Sequence, residues 1–507
     1  MLRLLRLSAL PLLVCAGLAF AGNKPENWLQ VSSQHFTILT NGSDKDARHI
    51  ADQFERMRAI FHTIFPQMQV DPAVPIVVIA VKDTKDFRDL EPEAYLAKGQ
   101  LNLSGLFLRA PEKNYVLLRM DAGGEHPYSA IYHEYTHLLF SKAEDWLPTW
   151  LNEGLAEFYE NTDIYGKDTV LGQPNAYDIL FLRQNRLIPL TTLFTVDYNS
   201  PYYHEEHKGS IFYAESWALT HYLSVMDFQN RTQKIPDYML LVANHVDPVT
   251  AATRAFGDLT HLQSQLESYV QGANYQRFHL KQPPESDDLT CKTQPVTVPQ
   301  ANAVRADFLA YNQREKDARA LLDQVLKDDP NNTLAHETMG QLEFRAGRMD
   351  QAQKWYEQAV KLDSRSYLAN YYFAAIAMSR GGSEDMGSQI ESSLQKAIKL
   401  NPSFAPSYDR LAMYYNNGHE EMEQAHTMEL QAVQLDPGNV PYRINAAYIL
   451  VNMERENDAI TMLENALKIA KNPEETASVQ DALKMAQQAQ YLRQPSPSAE
   501  HAVELHK

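Results

Sequence analysis

Cysteine is almost missing from this chain: Cys15 and Cys291 are the two among 507 residues. Cys15 falls in the apolar N-terminal stretch, and if that stretch is removed Cys291 alone is left. A single thiol cannot close an intramolecular disulfide, so the fold has to stand on packing and on any bound metal, even in an oxidising compartment. Clustered positive charge is missing too. Outside the first few residues there is no run of Lys and Arg, and the formal net charge is −18. Such a surface repels nucleic acid and anionic lipid headgroups, which excludes the usual nucleic-acid binders. Nor does any segment of the mature chain approach the ~18 consecutive apolar residues of a membrane span.

The start of the chain supplies the one apolar stretch of note. Arg3 and Arg6 precede residues 7–20, and Ala19-Phe20-Ala21 gives a small-x-small pattern before Gly22. This reads as a signal peptide over 1–21, and it predicts a periplasmic or extracellular protein. Val14 is a poor neighbour for a lipidated Cys15. With 44% hydrophobic and 22% charged residues, the remainder is globular rather than disordered. At ~150 residues per domain its length suggests about three folding units, or two if one is elongated.

Residues 28–40 carry a strand signal, with Phe36 and Ile38 alternating with Thr37 and Leu39. Asn41-Gly42-Ser43 turns the chain into a helix capped by Ser43 or Asp44, whose apolar stripe runs through Ala47, Ile50, Phe54, Met57 and Phe61 until Pro66. A buried strand is expected over 76–81 and a hairpin from 105–110 and 115–120. Helices follow: one opened by Glu125 or Pro127 and ending near Phe140, one opened by Pro148, and others over 210–226 and 259–275. Residues 281–300, with Pro283, Pro284, Pro295 and Pro299, read as a linker, and 491–507 as a flexible tail.

Between linker and tail the sequence repeats. Ala318 and Ala352 are 34 residues apart, as are Pro330 and Ser364; Ala397, Ala432 and Ala466 continue at 35 and 34. Asp329-Pro330, Asn401-Pro402 and Asp436-Pro437 close units. Gly340, Gly347, Tyr356 and Ala359 fit the small and aromatic positions of a helix–turn–helix. Residues 301–490 thus resemble four or five tetratricopeptide repeats, one of them lengthened at Gly381-Gly382-Ser383. The resemblance implies an all-α solenoid whose concave surface binds a protein partner or peptide.

The chemistry is concentrated at His133-Glu134-Tyr135-Thr136-His137. On a helix, residues i and i+4 share a face, so both imidazoles can reach one ion ~2.0–2.1 Å away, while Glu134 can take a proton from metal-bound water. Ile131, Leu138 and Leu139 give this helix a core side. Fifteen residues separate His137 from Glu153 in Trp150-Leu151-Asn152-Glu153-Gly154-Leu155-Ala156-Glu157. A loop over 142–145 and a helix opened by Pro148 can lay Glu153 against the histidines. Two His and one Glu with a free fourth position is a catalytic zinc set, not a closed structural one.

These residues resemble the gluzincin metallopeptidases, the group of the thermolysin-like and aminopeptidase-N-like enzymes. More closely, 24–280 is similar to a bacterial peptidase-MA-like domain family often fused to tetratricopeptide repeats. The resemblance implies an α+β zincin-like catalytic domain, Zn2+ held by His133, His137 and Glu153, and Glu134 as general base. By the same resemblance Glu157, one turn after Glu153, orients a ligating His; a solvated helix carboxylate is the alternative. A transition-state donor is implied further along, with Tyr203 favoured over His204, His207 and Tyr213. The Gly-x-Met-Glu-Asn segment with which aminopeptidases grip a free amine is missing between Leu101 and Glu125. The strand over 115–120 is instead expected to pair with an extended peptide backbone.

The expected function is therefore a secreted zinc metallopeptidase with repeats that recruit substrate or partner. Two alternatives stand beside it. One is a non-enzymatic repeat scaffold with a residual metal-bearing domain; the other is a metal-dependent amidase acting on cell-wall material. Glu205, Glu206 and His207 read as a polar loop, and His35, His221 and His245 need no special role.

Overall fold

The computed structural model describes residues 27–66, 74–96, 105–121, 126, 128–140, 146–165, 168–197, 199–203, 211–281, 290–381, 386–418 and 421–493. The expected signal peptide over 1–21, the loop 142–145, His204 and His207, and the end of the tail lie outside these residues. Among the described residues no helix is long and apolar enough to cross a membrane.

Three short segments, near-continuous in apolar residues, become the middle of a six-stranded sheet. Its strands are β1 (Trp28–Ser32), β2 (Phe36–Thr40), β3 (Ile76–Val81), β4 (Gly105–Arg109), β5 (Asn114–Arg119) and β9 (Lys292–Val296), in the order β4-β5-β3-β2-β1-β9. β2–β3 and β3–β5 pair in parallel, the others antiparallel. The crossover from β2 to β3 is α1 (Asp44–Ile64), which Ser43 caps by accepting from the Asp46 amide; α2 (Thr84–Arg88) leads from β3 toward β4.

Both faces of the central strands are buried, which parallel pairing requires. Ile38, Val78, Val116 and Leu118 join one core with Phe54 and Phe61 of α1. Their neighbours Leu39, Ile79, Val81, Tyr115 and Leu117 join a second core with Ala306, Phe308 and Leu322 of the repeats. The sheet is thus the wall between the helices below and the solenoid above.

The helical layer on the first face contains α3 (Ser129–Leu139), α4 (Thr149–Glu160), α5 (Ala176–Gln184), α6 (Leu190–Leu193), α7 (Ile211–Asn230), α8 (Lys234–Ala243), α9 (Pro248–Phe256) and α10 (Leu259–Val270). A small antiparallel sheet, β6 (Asp163–Tyr165), β7 (Asp168–Leu171) and β8 (Phe278–Lys281), edges it. Pro148 stands at the cap of α4 with φ −60°, as its ring demands.

Two expectations are corrected. The segment 281–300 is not a plain linker. Residues 292–296 form β9, which pairs with β1, and the first repeat helix begins at Val298. Pro295 reads as a breaker in sequence, but β9 is an edge strand, where a missing N–H is tolerated. Arg48 of α1 fastens it, donating to the Cys291 carbonyl at 2.9 Å and to Thr293 Oγ1 at 2.6 Å. The second correction concerns β5. It lies between β4 and β3, so both its edges are already paired and it cannot accept a peptide strand.

The repeats are five helix pairs among the described residues: α11 (Val298–Tyr311) with α12 (Glu315–Asp328), α13 (Thr333–Arg345) with α14 (Met349–Lys361), α15 (Tyr367–Ser379) with α16 (Gly387–Leu400), α17 (Ala405–Gly418) with α18 (Met422–Leu435), and α19 (Val440–Asn452) with α20 (Glu456–Leu467). The periodic alanines Ala318, Ala352, Ala397, Ala432 and Ala466 are all fully buried on the second helices. A last helix, α21 (Pro473–Arg493), buries Val479, Ala482 and Ala486 and closes the array. Residues 491–493 of the expected tail belong to it.

Candidate metal centre

α3 is held by its apolar side. Ile131, Tyr132, Tyr135, Leu138 and Leu139 enter the core under the sheet, and this turns His133 and His137 toward α4. α4 is buried almost throughout, from Thr149 to Tyr159. Gly154 sets its depth. A Cβ there would stand 2.5 Å from the Ser216 carbonyl oxygen and 2.2 Å from Thr220 Oγ1, so only glycine lets α4 lie this close to α7.

The result brings three donors together. His133 Nε2 and His137 Nε2 are 3.1 Å apart, and Glu153 Oε2 lies 3.5 Å from the first and 3.3 Å from the second. A tetrahedral ion at about 2.05 Å from each ligand needs its donors about 3.3–3.4 Å apart. The triangle fits zinc in size and in donor type. His133 and Glu153 are buried and His137 is half-buried.

The second layer sets the tautomers. His137 Nδ1 faces Asn152 Oδ1 at 3.2 Å; the amide oxygen accepts, so Nδ1 carries the proton and the Nε2 lone pair could ligate an ion. His133 Nδ1 points to two carboxylates, Glu157 Oε1 at 3.4 Å and Glu160 Oε2 at 3.5 Å. Glu157 therefore faces His133. His133, Glu157 and Glu160 also form a cluster of metal-ligand size. It uses the opposite nitrogen of the same ring, so it is the outer layer of one site.

Charge follows geometry. Burial works against a charged His133, but Glu153, Glu160 and Glu157 outweigh it and raise its pKa well above the ordinary value. Burial likewise opposes the Glu153 carboxylate, and the two histidines hold its pKa down to about 2. Asp178 is pushed up to about 7 by burial and by the nearby Glu160.

Tyr203 donates its hydroxyl to Glu153 Oε1 at 3.2 Å, the oxygen not facing the histidines. Its ring centroid is 6.0 Å from that of Tyr213. Burial and then Glu153 raise the Tyr213 pKa, while its hydrogen bond with Tyr203 opposes them. Both phenols thus belong to the site. Glu134 is half-buried on α3, between the two histidines in sequence. A cavity of about 150 Å³ opens beside Glu160, lined also by His126, Tyr132 and Asp163.

Sequence reasoning missed Asn152 and Glu160. The signal for Glu160 was present: it continues Glu153 and Glu157 at i+7 on one helix face. Asn152 precedes the third ligand and had no periodic mark. His221, deep in α7, is structural. Tyr269 lies 2.6 Å from its Nδ1 and the Gly172 carbonyl 2.9 Å from its Nε2, and burial holds its pKa down to about 4.

Residues 128–239, which span α3, α4 and α7, match a family described as a protein of unknown function (DUF1570). Residues 309–371 match the tetratricopeptide repeat, and the C-terminal solenoid is of that kind. Similar solved structures include YrrB, a TPR protein with an unusual peptide-binding site, at 18% identity over 36% of this chain and 91% of that one, with a TM-score of 0.32. MamA is 22% identical over 32% of this chain and 94% of its own, with a TM-score of 0.28. A thermophilic TPR protein of Thermus thermophilus is 21% identical over 37% of this chain and 99% of its own, with a TM-score of 0.27. No curated protein matches the chain.

Proposed function

We propose that this is an exported, zinc-dependent metallopeptidase of gluzincin type carried on a tetratricopeptide-repeat solenoid. The observation that supports it most is the convergence of His133 Nε2, His137 Nε2 and Glu153 Oε2 within 3.1–3.5 Å, with Glu134 on the same helix. Zinc held by these donors supplies a Lewis acid that polarises a carbonyl and lowers the pKa of water. Glu134 takes the proton of the attacking water and passes it to the leaving amine. Asn152 and the Glu157–Glu160 pair keep the two rings in the ligating tautomer. Tyr203 steadies Glu153, and Tyr203 or Tyr213 is the phenol available to the developing oxyanion.

The rival reading is a repeat scaffold with a metal-bearing domain that no longer turns over substrate. It is favoured by the repeat match and by the large core that the sheet shares with the first repeats. Its weakness is Glu134, because a structural metal site has no use for a general base. A cell-wall amide in place of a peptide is a third reading of the same chemistry.

Metal content and cleavage of a mixed peptide library decide among them. The metallopeptidase reading expects one zinc per chain in wild type and in Glu134→Gln, with cleavage by wild type alone. Zinc in both with no cleavage of peptides or cell-wall amides supports the scaffold, and equal cleavage by both proteins sinks the assigned role of Glu134.

A further inference from the structure

The four residues 110–113 close the β4–β5 hairpin, although Arg109 and Asn114 are already a register pair that a two-residue turn could join. The longer loop reaches into the solenoid. There the first helices of successive units stand in a row, α11 against α13 and α13 against α15, and the loop bonds to the first and the third. The Pro111 carbonyl accepts from the Tyr367 hydroxyl at 3.2 Å. Glu112 uses both oxygens: Oε2 accepts from Ser366 Oγ at 2.6 Å and Oε1 from the Leu368 amide at 3.1 Å, at the start of α15. Lys113 Nζ donates to Asp307 Oδ2 at 3.0 Å on α11. Asp307 is held in turn by Tyr115 of β5 and by Thr338 of α13 at 2.7 Å.

The Pro111 carbonyl and the side chains of Glu112 and Lys113 each meet a group on the repeats. The carboxylate meets a helix N-terminus and a hydroxyl, and the ammonium meets a buried aspartate. Such addressing of a carbonyl, an acid and a base on consecutive residues is how a groove reads a ligand, and these contacts border the core that Tyr115 and Phe308 share. Around the loop a cavity of only about 30 Å³ is left, lined by Tyr311, Glu337 and Tyr372 among others. Beyond Glu112 the groove widens to about 550 Å³ toward Arg365 and Asn401.

We propose that the inner face of the first three repeats is a recognition site for a tight turn bearing an adjacent Glu and Lys, and that residues 110–113 occupy it in cis. These repeats then hold the metal domain in place instead of recruiting a partner. A tethered ligand acts at an effective concentration of roughly millimolar, so a free turn of the same chemistry meets a filled site.

The test empties the groove and offers the turn back. In the full chain, residues 110–113 are replaced by Asn-Gly, which closes β4–β5 as a two-residue hairpin. The probe is a cyclised synthetic peptide with the sequence of residues 107–116, followed by titration calorimetry. The expected result is binding to the shortened chain at roughly 10–100 μM, at least tenfold weaker binding to wild type, and no binding of a peptide carrying Glu112→Ala and Lys113→Ala. A shortened chain that melts cooperatively yet ignores the peptide, or that binds it no better than wild type, overturns the proposal. Should the shortened chain not fold, full-length Glu112→Ala decides by hydrogen exchange. The Leu368 amide is expected to exchange at least tenfold faster than in wild type, and an unchanged rate overturns the proposal.

Discussion

Two helix hairpins of this molecule, α3–α4 and α13–α14, are built to the same plan and filled with opposite chemistry. Each buries a glycine where a Cβ would strike its neighbour: Gly154 against α7, and Gly340 against the Tyr356 ring at 2.7 Å. In α13–α14 the interface is completed by Leu342, Ala352 and Ala359. In α3–α4, whose glycine faces α7 instead, the space between the two helices holds His133, Asn152, Glu153 and Glu157, all buried. Burying such groups is costly unless each finds a partner. The repeat hairpin is therefore complete within the protein, its buried Thr338 and Glu343 paired by Asp307 and by Arg319 and Arg348, whereas an ion held between α3 and α4 would support the other.

Metal removal is the largest lever on that difference. A site-specific ion at 1,000 times its Kd stabilises the state that holds it by about 4 kcal/mol. Chelation is expected to lower hydrogen-exchange protection in α3 and α4 by that amount and to leave α13 and α14 unchanged; Glu153→Ala should reproduce the loss without chelator. Equal loss in both hairpins would break the contrast, because it would make the metal a global rather than a local support.

The two glycines sharpen it next. Gly154→Ala drives a methyl into backbone, which cannot step aside, and is expected to cost about 3 kcal/mol. Gly340→Ala meets the face of a side-chain ring that can tilt, and about 1–2 kcal/mol is expected. Urea midpoints of the two variants compare them directly, and a larger cost at Gly340 would reverse the argument.

Glu160→Gln probes the outer layer. Removing its charge from His133 Nδ1 should weaken metal binding 10–100-fold, read by competition with a chromogenic chelator. An unchanged affinity would assign the ring's orientation to Glu157 alone.

What the sequence disclosed follows the same division. The solenoid was legible because its packing rule is periodic: alanines at 34–35 residues recur wherever two helices must touch, and all five are buried. The inner donors were legible because their spacing is set within one helix and across one short loop. Asn152 was not, because its role depends on how α4 rolls against α3, which Gly154 and α7 decide from sixty residues away. β9 was hidden for a related reason. Its partner β1 lies more than 250 residues earlier, and Pro295 carries the local signature of a linker while sitting at a sheet edge. The loop 110–113 likewise shows nothing in sequence of the groove it fills.

A buried acid tests the contrast from within the solenoid. Glu429 of α18 is fully buried, and neither carboxylate oxygen has a hydrogen-bond partner among the described residues. Burial, with Asp409 adding to it and Arg410 opposing, pushes its pKa up to about 9. A carboxyl raised above its unfolded value keeps its proton in the native state while the unfolded chain loses it. Stability is thus undiminished below about pH 4.5 and falls as pH rises from there toward 9. Glu429→Met removes the penalty with little change of volume; for a shift of this size it is expected to stabilise the protein by roughly 4 kcal/mol at pH 8 and by almost nothing at pH 4.5. Melting curves at the two pH values measure it. A gain of equal size at both would mean that packing, not the proton, limits this helix pair.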